Sequence, residues 1–172
     1  MSGEVDRRPL RRAHGLRFAS RVAIAAVWVM LALPVQGATG DAEIDTFMRN
    51  YLETFDHGHA WEIVPLYDAP LFMLAPNGDL RAYETPKDIR LTIKKWKRYM
   101  FHGGFEDSRW VALNVKRLTE GTAIASTAFE RLNSRGQVYQ RGGATYTLRK
   151  KDGNWVITLI HIHDPDAVMS ID

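Results

Sequence analysis

The spacing of apolar residues predicts that the chain begins its folded part with helices. Between Asp41 and Asp56 they recur at the 3.6-residue spacing of an amphipathic helix, as Ile44, Phe47, Met48, Tyr51, Leu52 and Phe55. A shorter helical pattern follows over Ala60–Tyr67. A third helix is predicted over Thr85–Met100, because Thr85 is a good N-cap and Pro86 suits the first helical position.

The rest of the chain alternates apolar and polar residues at the two-residue period of β-strands. Leu71–Ala75 and Leu80–Tyr83 are short and flank Asn77-Gly78, which predicts a hairpin. Longer strands are predicted over Arg109–Thr119, Thr122–Leu132 and Tyr139–Lys151. Within the last of these, Gly142-Gly143 predicts a bulge or a bend.

The final strand, Asn154–His163, is predicted to be central because both of its faces are largely apolar. It follows a hairpin turn at Asp152-Gly153. Regular alternation places one set of side chains on a single face: Trp155, Ile157, Leu159, His161 and His163. The two histidines are therefore expected on the same face as Trp155 and Ile157, at the far end of the strand.

The order of the predicted elements indicates the fold class. Two helices, a hairpin and a third helix precede a long antiparallel meander, which is typical of an α+β fold with helices on one face of a curled sheet. The 172 residues suffice for one domain with a sizeable core. We assign that domain to residues 41–164 and a short C-terminal tail to residues 165–172.

The N-terminal residues 1–37 have the pattern of a secretory signal peptide. An apolar run over Val22–Leu33 is followed by Pro34 and small residues, and it is preceded by Arg7, Arg8, Arg11, Arg12, Arg17 and Arg21. We predict cleavage after Val35-Gln36-Gly37, with Ala38-Thr39-Gly40 as the alternative site. The expected location is periplasmic or secreted, and an uncleaved membrane anchor is the alternative.

Composition narrows the function through charge and through the absence of cysteine. Residues 1–37 hold six of the 23 basic and two of the 20 acidic residues, which leaves 17 and 18 in the mature chain. The basic character therefore belongs largely to the predicted signal, and it does not favour nucleic-acid binding. The chain has no cysteine, which excludes disulfides, thiolate metal sites and a cysteine nucleophile.

Four segments of the chain carry a resemblance to a known family. They are the turn Trp61–Tyr67, the hairpin Leu71–Tyr83, the third helix with Trp96, and the ending Asp152–Ile157 with His161 downstream. With these, residues 41–164 resemble the nuclear transport factor 2-like superfamily, and within it the SnoaL-like, ketosteroid-isomerase-like group.

This resemblance implies a cone-shaped curled antiparallel sheet with three helices packed on its concave face. It also implies a pocket at the open end and a homodimer formed through the outer sheet face. Family members include isomerases, dehydratases, cyclases and epoxide hydrolases that act on small apolar substrates, and many others have no known activity. The fold therefore does not determine the chemistry.

The candidate site residues are two histidines and a set of aromatic side chains. His161 and His163 are the catalytic candidates, since an imidazole can act as acid or base near neutral pH. In the family a small polar residue often follows two places after the histidine, and His163 departs from that pattern. The candidates for substrate binding are Tyr51, Phe55, Trp61, Tyr83, Trp96 and Trp110.

The charged residues offer weaker candidates. Asp56, Asp68 and Glu130 are interpreted as surface acids, because none has the pattern of a desolvated catalytic carboxylate. Arg131 and Arg141 could recognise a carboxylate, although outward-facing side chains are favoured for both.

We expect no cofactor and no metal. The metal alternative would combine two histidine pairs that the sequence does not bring together: His57, His59, His161 and His163 with Asp164.

The leading hypothesis is an exported SnoaL-like protein that binds, and could transform, a small mainly apolar molecule. The alternative is a non-catalytic dimeric binding or structural module of the cell envelope. Whether the protein is an enzyme stays open; if it is, an isomerase, dehydratase or hydrolase is expected.

Overall fold

The computed structural model describes residues 42–170, which form three α-helices and one six-stranded sheet. The helices are α1 (Ala42–His57), α2 (Ala60–Ile63) and α3 (Pro86–His102). Short 3₁₀ turns occupy Val64–Leu66 and Pro165–Ala167. The predicted signal peptide lies outside the described residues.

The sheet has the strand order β2-β1-β6-β5-β4-β3, which places β6 in its interior. The strands are β1 (Tyr67–Leu74), β2 (Leu80–Tyr83), β3 (Phe105–Thr119), β4 (Thr122–Asn133), β5 (Val138–Lys151) and β6 (Asn154–His163). β1 pairs with β6 in parallel, and every other neighbouring pair is antiparallel. The predicted α+β cone with three helices is confirmed, but the sheet is mixed and not wholly antiparallel.

The second helix is shorter than predicted. Only Ala60–Ile63 is α-helical, the next turn is 3₁₀, and β1 already begins at Tyr67. Pro65 lies in that turn, and proline lacks the backbone N–H that a longer α-helix would need there. The change of direction after Leu66 brings β1 against β6.

The core lies between the helices and the concave face of the sheet. The apolar stripes of α1 and α3 supply Ile44, Met48, Ile89 and Ile93, which are all almost completely buried. The sheet contributes side chains such as Leu148 and Ile157 from adjacent strands. Each such side chain contributes roughly 1.5–3 kcal/mol by its removal from water. The predicted periodicity of both helices therefore reports their buried faces correctly.

A β-bulge divides β6 into two halves. Odd-numbered side chains face the core before the bulge, and even-numbered side chains face it afterwards. Leu148 pairs with Ile157 while Thr147 pairs with Leu159, so Thr158 is an extra residue without a cross-strand partner. Its hydroxyl donates to the Thr147 carbonyl, at 3.1 Å. Because one inserted residue shifts the alternation by one, each half of the strand turns a different set of side chains toward the helices.

The two sets are visible in the burial of the strand. Before the bulge, Trp155 and Ile157 belong to the core. After it, Ile160 and Ile162 face the core, and His161 lies on the opposite, outer face, where it is exposed. The expectation that the histidines share a face with Trp155 and Ile157 is therefore wrong, and the inserted Thr158 is the physical reason.

The glycine pair in β5 has a different role from the one predicted. The pairing register runs through Gly142 and Gly143 without a bulge. A Cβ on Gly142 would lie 2.6 Å from the ring of Phe129, and one on Gly143 would lie 2.5 Å from the ring of His163. These glycines therefore leave room for two rings that pack against the β5 backbone.

One lysine joins the two long helices. The Lys97 ammonium of α3 donates to the carbonyls of Phe55, Asp56 and Gly58, at 2.9, 3.0 and 2.7 Å. These carbonyls lie at the C-terminus of α1, where the last turn has no intrahelical donors. The positive charge also faces the negative end of the α1 dipole. Lys97 of α3 therefore supplies hydrogen-bond donors to the free carbonyl groups at the end of α1.

Replacing Lys97 should destabilise the fold. In Lys97→Met the apolar stem is kept while the three hydrogen bonds are lost, so the free energy of unfolding should fall by about 2 kcal/mol. Urea unfolding followed by circular dichroism measures this change. The control is Lys95→Met, because Lys95 is exposed on the same helix. Equal stability of the two variants would contradict the role of Lys97.

Candidate functional site

A cavity of about 360 Å³ opens between α1, α3 and the concave face of the sheet. The helices contribute Tyr51, Leu52, Phe55, Trp96, Tyr99 and Met100 to its walls. The sheet contributes mostly apolar groups, including Trp110, Phe129, Ala144, Tyr146, Ile160 and Ile162. A concave site of this size with few polar groups is typical of small-molecule binding.

Two tyrosines bring hydroxyl groups to the cavity, and a third supports them. The hydroxyls of Tyr51 and Tyr67 are 2.8 Å apart, and the ring of Tyr51 packs edge-on against that of Tyr146, with the ring centres 5.5 Å apart. All three side chains are buried, and burial raises the pKa of each phenol well above its usual value. The phenols therefore stay protonated at physiological pH. Tyr51 and Tyr146 line the cavity and can donate a hydrogen bond to a ligand oxygen.

A buried carboxyl group lies behind the cavity wall at the end of α1. Asp56 is only 4% exposed, so its interpretation as a surface acid is wrong. It accepts hydrogen bonds from the Ser108 backbone N–H at 2.8 Å and from the Ser108 hydroxyl at 3.1 Å. Burial raises the pKa of the Asp56 carboxyl to about 6, and the bonds from Ser108 oppose that rise.

Asp68 and Glu130 are also buried, but each carboxylate is paired with two basic side chains. Asp68 accepts from Arg149 and Lys151, and Glu130 accepts from Arg109 and Arg141. The hydrogen bonds from these cations lower the pKa of the Glu130 carboxyl. The pKa of the Asp68 carboxyl is also lowered: its burial acts the other way, and the bonds from Lys151 and Arg149 outweigh it.

Four of the six predicted aromatic residues meet at the cavity. Tyr51, Phe55, Trp96 and Trp110 line it, whereas Trp61 and Tyr83 do not. Trp61 is 66% exposed on α2, where its ring stacks against that of His59. Tyr83 packs against the edge of the core from the short strand β2. A role in substrate binding stays a prediction for all six aromatic residues. Trp61 and Tyr83 do not contact this cavity.

The two candidate catalytic histidines lie away from the cavity. His161 is exposed on the outer face of the sheet. His163 is half-buried there; its Nε2 is 3.0 Å from the Thr145 hydroxyl and its Nδ1 is 2.7 Å from the Asp164 carbonyl oxygen. Neither side chain lines the cavity. A catalytic role for the pair stays a prediction, and neither histidine contacts the cavity in which a substrate would bind.

The structure gives no geometry for the metal alternative. Within residues 42–170, no group of three or more His, Cys, Asp or Glu side chains could hold a metal ion. His57 instead lies 3.6 Å from an oxygen of the partly exposed Asp107. In the same part of the chain, no helix is long and apolar enough to cross a membrane.

Sequence reasoning missed Tyr67, Ser108 and Tyr146. Tyr146 could have been found, because it alternates with Ala144 and Leu148 on the face of β5 that is buried in the structure. The pairing of Asp56 with Ser108 carries no comparable signal, since 52 residues separate the two along the chain. The packing of α1 against β3 brings them together.

Comparison with known proteins identifies the family. The sequence profile of the family described as NTF2-like protein (DUF6841) matches residues 42–165, which is most of the chain. The chain belongs to this NTF2-like family. No curated protein matches this NTF2-like chain in sequence.

Solved structures share the fold. An NTF2-like protein with a cystatin-like fold from Novosphingobium aromaticivorans has a TM-score of 0.58 and 16% identity, covering 73% of this chain and 81% of that one. The protein Aln2 from a Streptomyces species has a TM-score of 0.58 and 15% identity, covering 72% and 89%. An NTF-2 like protein of unknown function from Shewanella oneidensis has a TM-score of 0.56 and 18% identity, covering 71% and 97%. At these identities the likeness establishes the NTF2-like fold alone.

The raised pKa of Asp56 predicts a specific dependence of stability on pH. The folded protein keeps this proton up to about pH 6, whereas the unfolded chain releases it near the ordinary value of 3.8. The contribution of Asp56 to the free energy of unfolding should therefore decrease as the pH rises from about 4 to about 6. Asp56→Asn removes this contribution, so the stability of wild type relative to the variant should fall across that window.

Urea unfolding of both proteins at a series of pH values measures this difference. The charge-matched control is Asp152→Asn, because Asp152 is exposed in the β5–β6 turn and asparagine also tolerates its positive φ of 50°. A difference between wild type and Asp56→Asn that stays constant from pH 4 to pH 7 would contradict the burial of the Asp56 charge.

Proposed function

We propose that this NTF2-like protein is an exported protein that binds a small, mainly apolar molecule in the cavity between α1, α3 and the sheet. The observation that carries the proposal is the cavity of about 360 Å³, whose lining is mostly apolar and includes Tyr51 and Tyr146. Apolar walls favour a ligand that buries its body there. A few fixed polar groups orient it.

The buried phenols favour a ligand that carries an oxygen acceptor. The Tyr51 hydroxyl is hydrogen-bonded to that of Tyr67, so its position is determined by the protein before a ligand enters. A carbonyl or hydroxyl oxygen could accept from Tyr51 or Tyr146 without a change in the protein. Such donors would also polarise a carbonyl group of the ligand. This polarisation is how the same site could support a reaction as well as binding.

Export and assembly are separate parts of the proposal. If residues 1–37 are a signal peptide, the intact mass of the protein recovered from the periplasm or medium should correspond to a chain that begins at Ala38. The homodimer through the outer sheet face is likewise a proposal, and light scattering on the purified mature chain tests it.

Filling the cavity should abolish ligand binding. Ala144 is buried and lines the cavity, so Ala144→Leu extends a side chain into space that a ligand would occupy. The fluorescence of the neutral probe N-phenyl-1-naphthylamine should rise on binding to wild type. Its affinity for Ala144→Leu should be at least about tenfold weaker, because the added carbons occupy space that the naphthalene ring would otherwise fill.

The control for this variant is Val111→Leu, because Val111 lies on β3 and is 61% exposed. It should bind the probe as wild type does, and thermal melting should show both variants folded. Undiminished binding to Ala144→Leu would place the probe outside the cavity. Failure of wild type to bind this or any other apolar probe would instead favour the non-catalytic structural module.

A further inference from the structure

We propose that the ligand of this cavity is an organic anion with an apolar body and a carboxylate head, and that Arg131 binds the head. The inference rests on the proposed function, because it names the chemical class of ligand for the same cavity. It starts from the charge of Arg131, which lines the cavity together with its apolar walls.

Arg131 differs from the other described arginines in its burial and its partner. Five of them are paired with carboxylates: Arg49, Arg109, Arg117, Arg141 and Arg149. Four others lie exposed at the surface: Arg81, Arg90, Arg98 and Arg135. Arg131 is half-buried, yet no salt bridge joins it to a carboxylate anywhere in residues 42–170.

The alternation of β4 directs Arg131 to the concave face. Phe129 lines the cavity two residues earlier, and Glu130 between them faces the outer side with Arg109 and Arg141. The guanidinium carbon of Arg131 lies 5.2 Å from the centre of the Phe129 ring. Its charge also acts to lower the pKa of both Tyr51 and Tyr146, so it lies within electrostatic reach of the phenols.

The hydrogen-bonding capacity of Arg131 is largely unused. Its Nη1 donates to the Gln140 side-chain oxygen at 3.0 Å, and this is the hydrogen bond that its side chain makes within the described residues. A guanidinium has five N–H donors, so most remain available. Gln140 also lines the cavity, and because its oxygen is turned to Arg131, its NH₂ group is free to donate to the same ligand.

The buried acid near the cavity does not form an ion pair with Arg131. Both oxygens of Asp56 accept hydrogen bonds from Ser108, and no salt bridge joins Asp56 to Arg131 within residues 42–170. A partly desolvated guanidinium interacts more strongly with an anion than a fully solvated one does. A ligand that supplies the missing negative charge would therefore bind more tightly than a neutral molecule of the same shape.

The geometry favours a carboxylate over a phosphate. A planar guanidinium matches the two oxygens of a carboxylate and can bind both at once. One guanidinium and one amide supply a single positive charge, whereas a phosphate monoester carries nearly two negative charges at neutral pH. The apolar surface around Phe129 and Ile162 suits the body of an aromatic or aliphatic acid.

The experiment compares three probes with the same naphthalene body, measured by calorimetry on the mature chain at pH 7.5. They are 1-naphthylacetic acid, the neutral 1-naphthylacetamide and 1-naphthyl phosphate. Wild type should bind the acid about tenfold or more tightly than the amide, since hydrogen bonds to a charged partner are the stronger ones. The phosphate should bind more weakly than the acid.

Substitutions at Arg131 assign the preference to this side chain. Arg131→Gln should bind the acid and the amide equally, with the affinity for the amide within about threefold of wild type. Arg131→Lys should keep part of the preference, because it retains the charge and loses the planar fork. The control is Arg135→Gln, which removes the same charge from an exposed turn and should keep the full preference.

Two results would overturn the inference. One is equal binding of the acid and the amide by wild type, and the other is an unchanged preference in Arg131→Gln. Both leave the proposed function intact as long as N-phenyl-1-naphthylamine still binds. If neither that probe nor any naphthalene compound binds, the proposed function fails as well. Should Arg131→Gln not fold, loss of part of the preference in Arg131→Lys decides the question, and an unchanged preference there counts against Arg131.

Discussion

The one-residue bulge at Thr158 determines which side chains of the central strand face the helices. Up to Ile157, β6 supplies the packed core, and from Ile160 onward it supplies a wall of the cavity. The pairing of β6 with β5 and its pairing with β1 are both interrupted between Ile157 and Leu159. If Thr158 were paired in regular alternation, His161 would face inward and Ile160 outward, and the cavity would be lined differently.

Charge is distributed unevenly around this frame. The buried acids Asp68 and Glu130 each meet two cations, and these pairs contribute to the stability of the fold when both partners are present. Asp56 and Arg131 lack such partners within the described residues. An unpaired charge beside a cavity is a candidate for a functional role. The side of the sheet that faces the helices therefore carries the electrostatic imbalance, and the outer side is largely compensated.

Sequence patterns predicted the elements of this fold better than the contacts between them. The apolar stripes of the helices, the Asp152-Gly153 turn and the central place of β6 all follow from local spacing. Four of the lining aromatics, among them Tyr51 and Trp96, were predicted because cavity and core share the same periodicity. The bulge, the parallel β1–β6 pair and the burial of Asp56 depend on partners far away along the chain. The spacing of apolar residues within one segment carries no information about contacts between distant segments.

The three hydrogen bonds from Lys97 also bear on how a ligand enters. They tie the C-terminus of α1 to α3, and those two helices supply Phe55 and Met100 to the cavity walls. Moving α3 away from α1 would break all three hydrogen bonds and leave the Lys97 ammonium and three carbonyl groups without these partners. The spacing of these two walls is therefore fixed near Lys97, and a ligand has to fit between them.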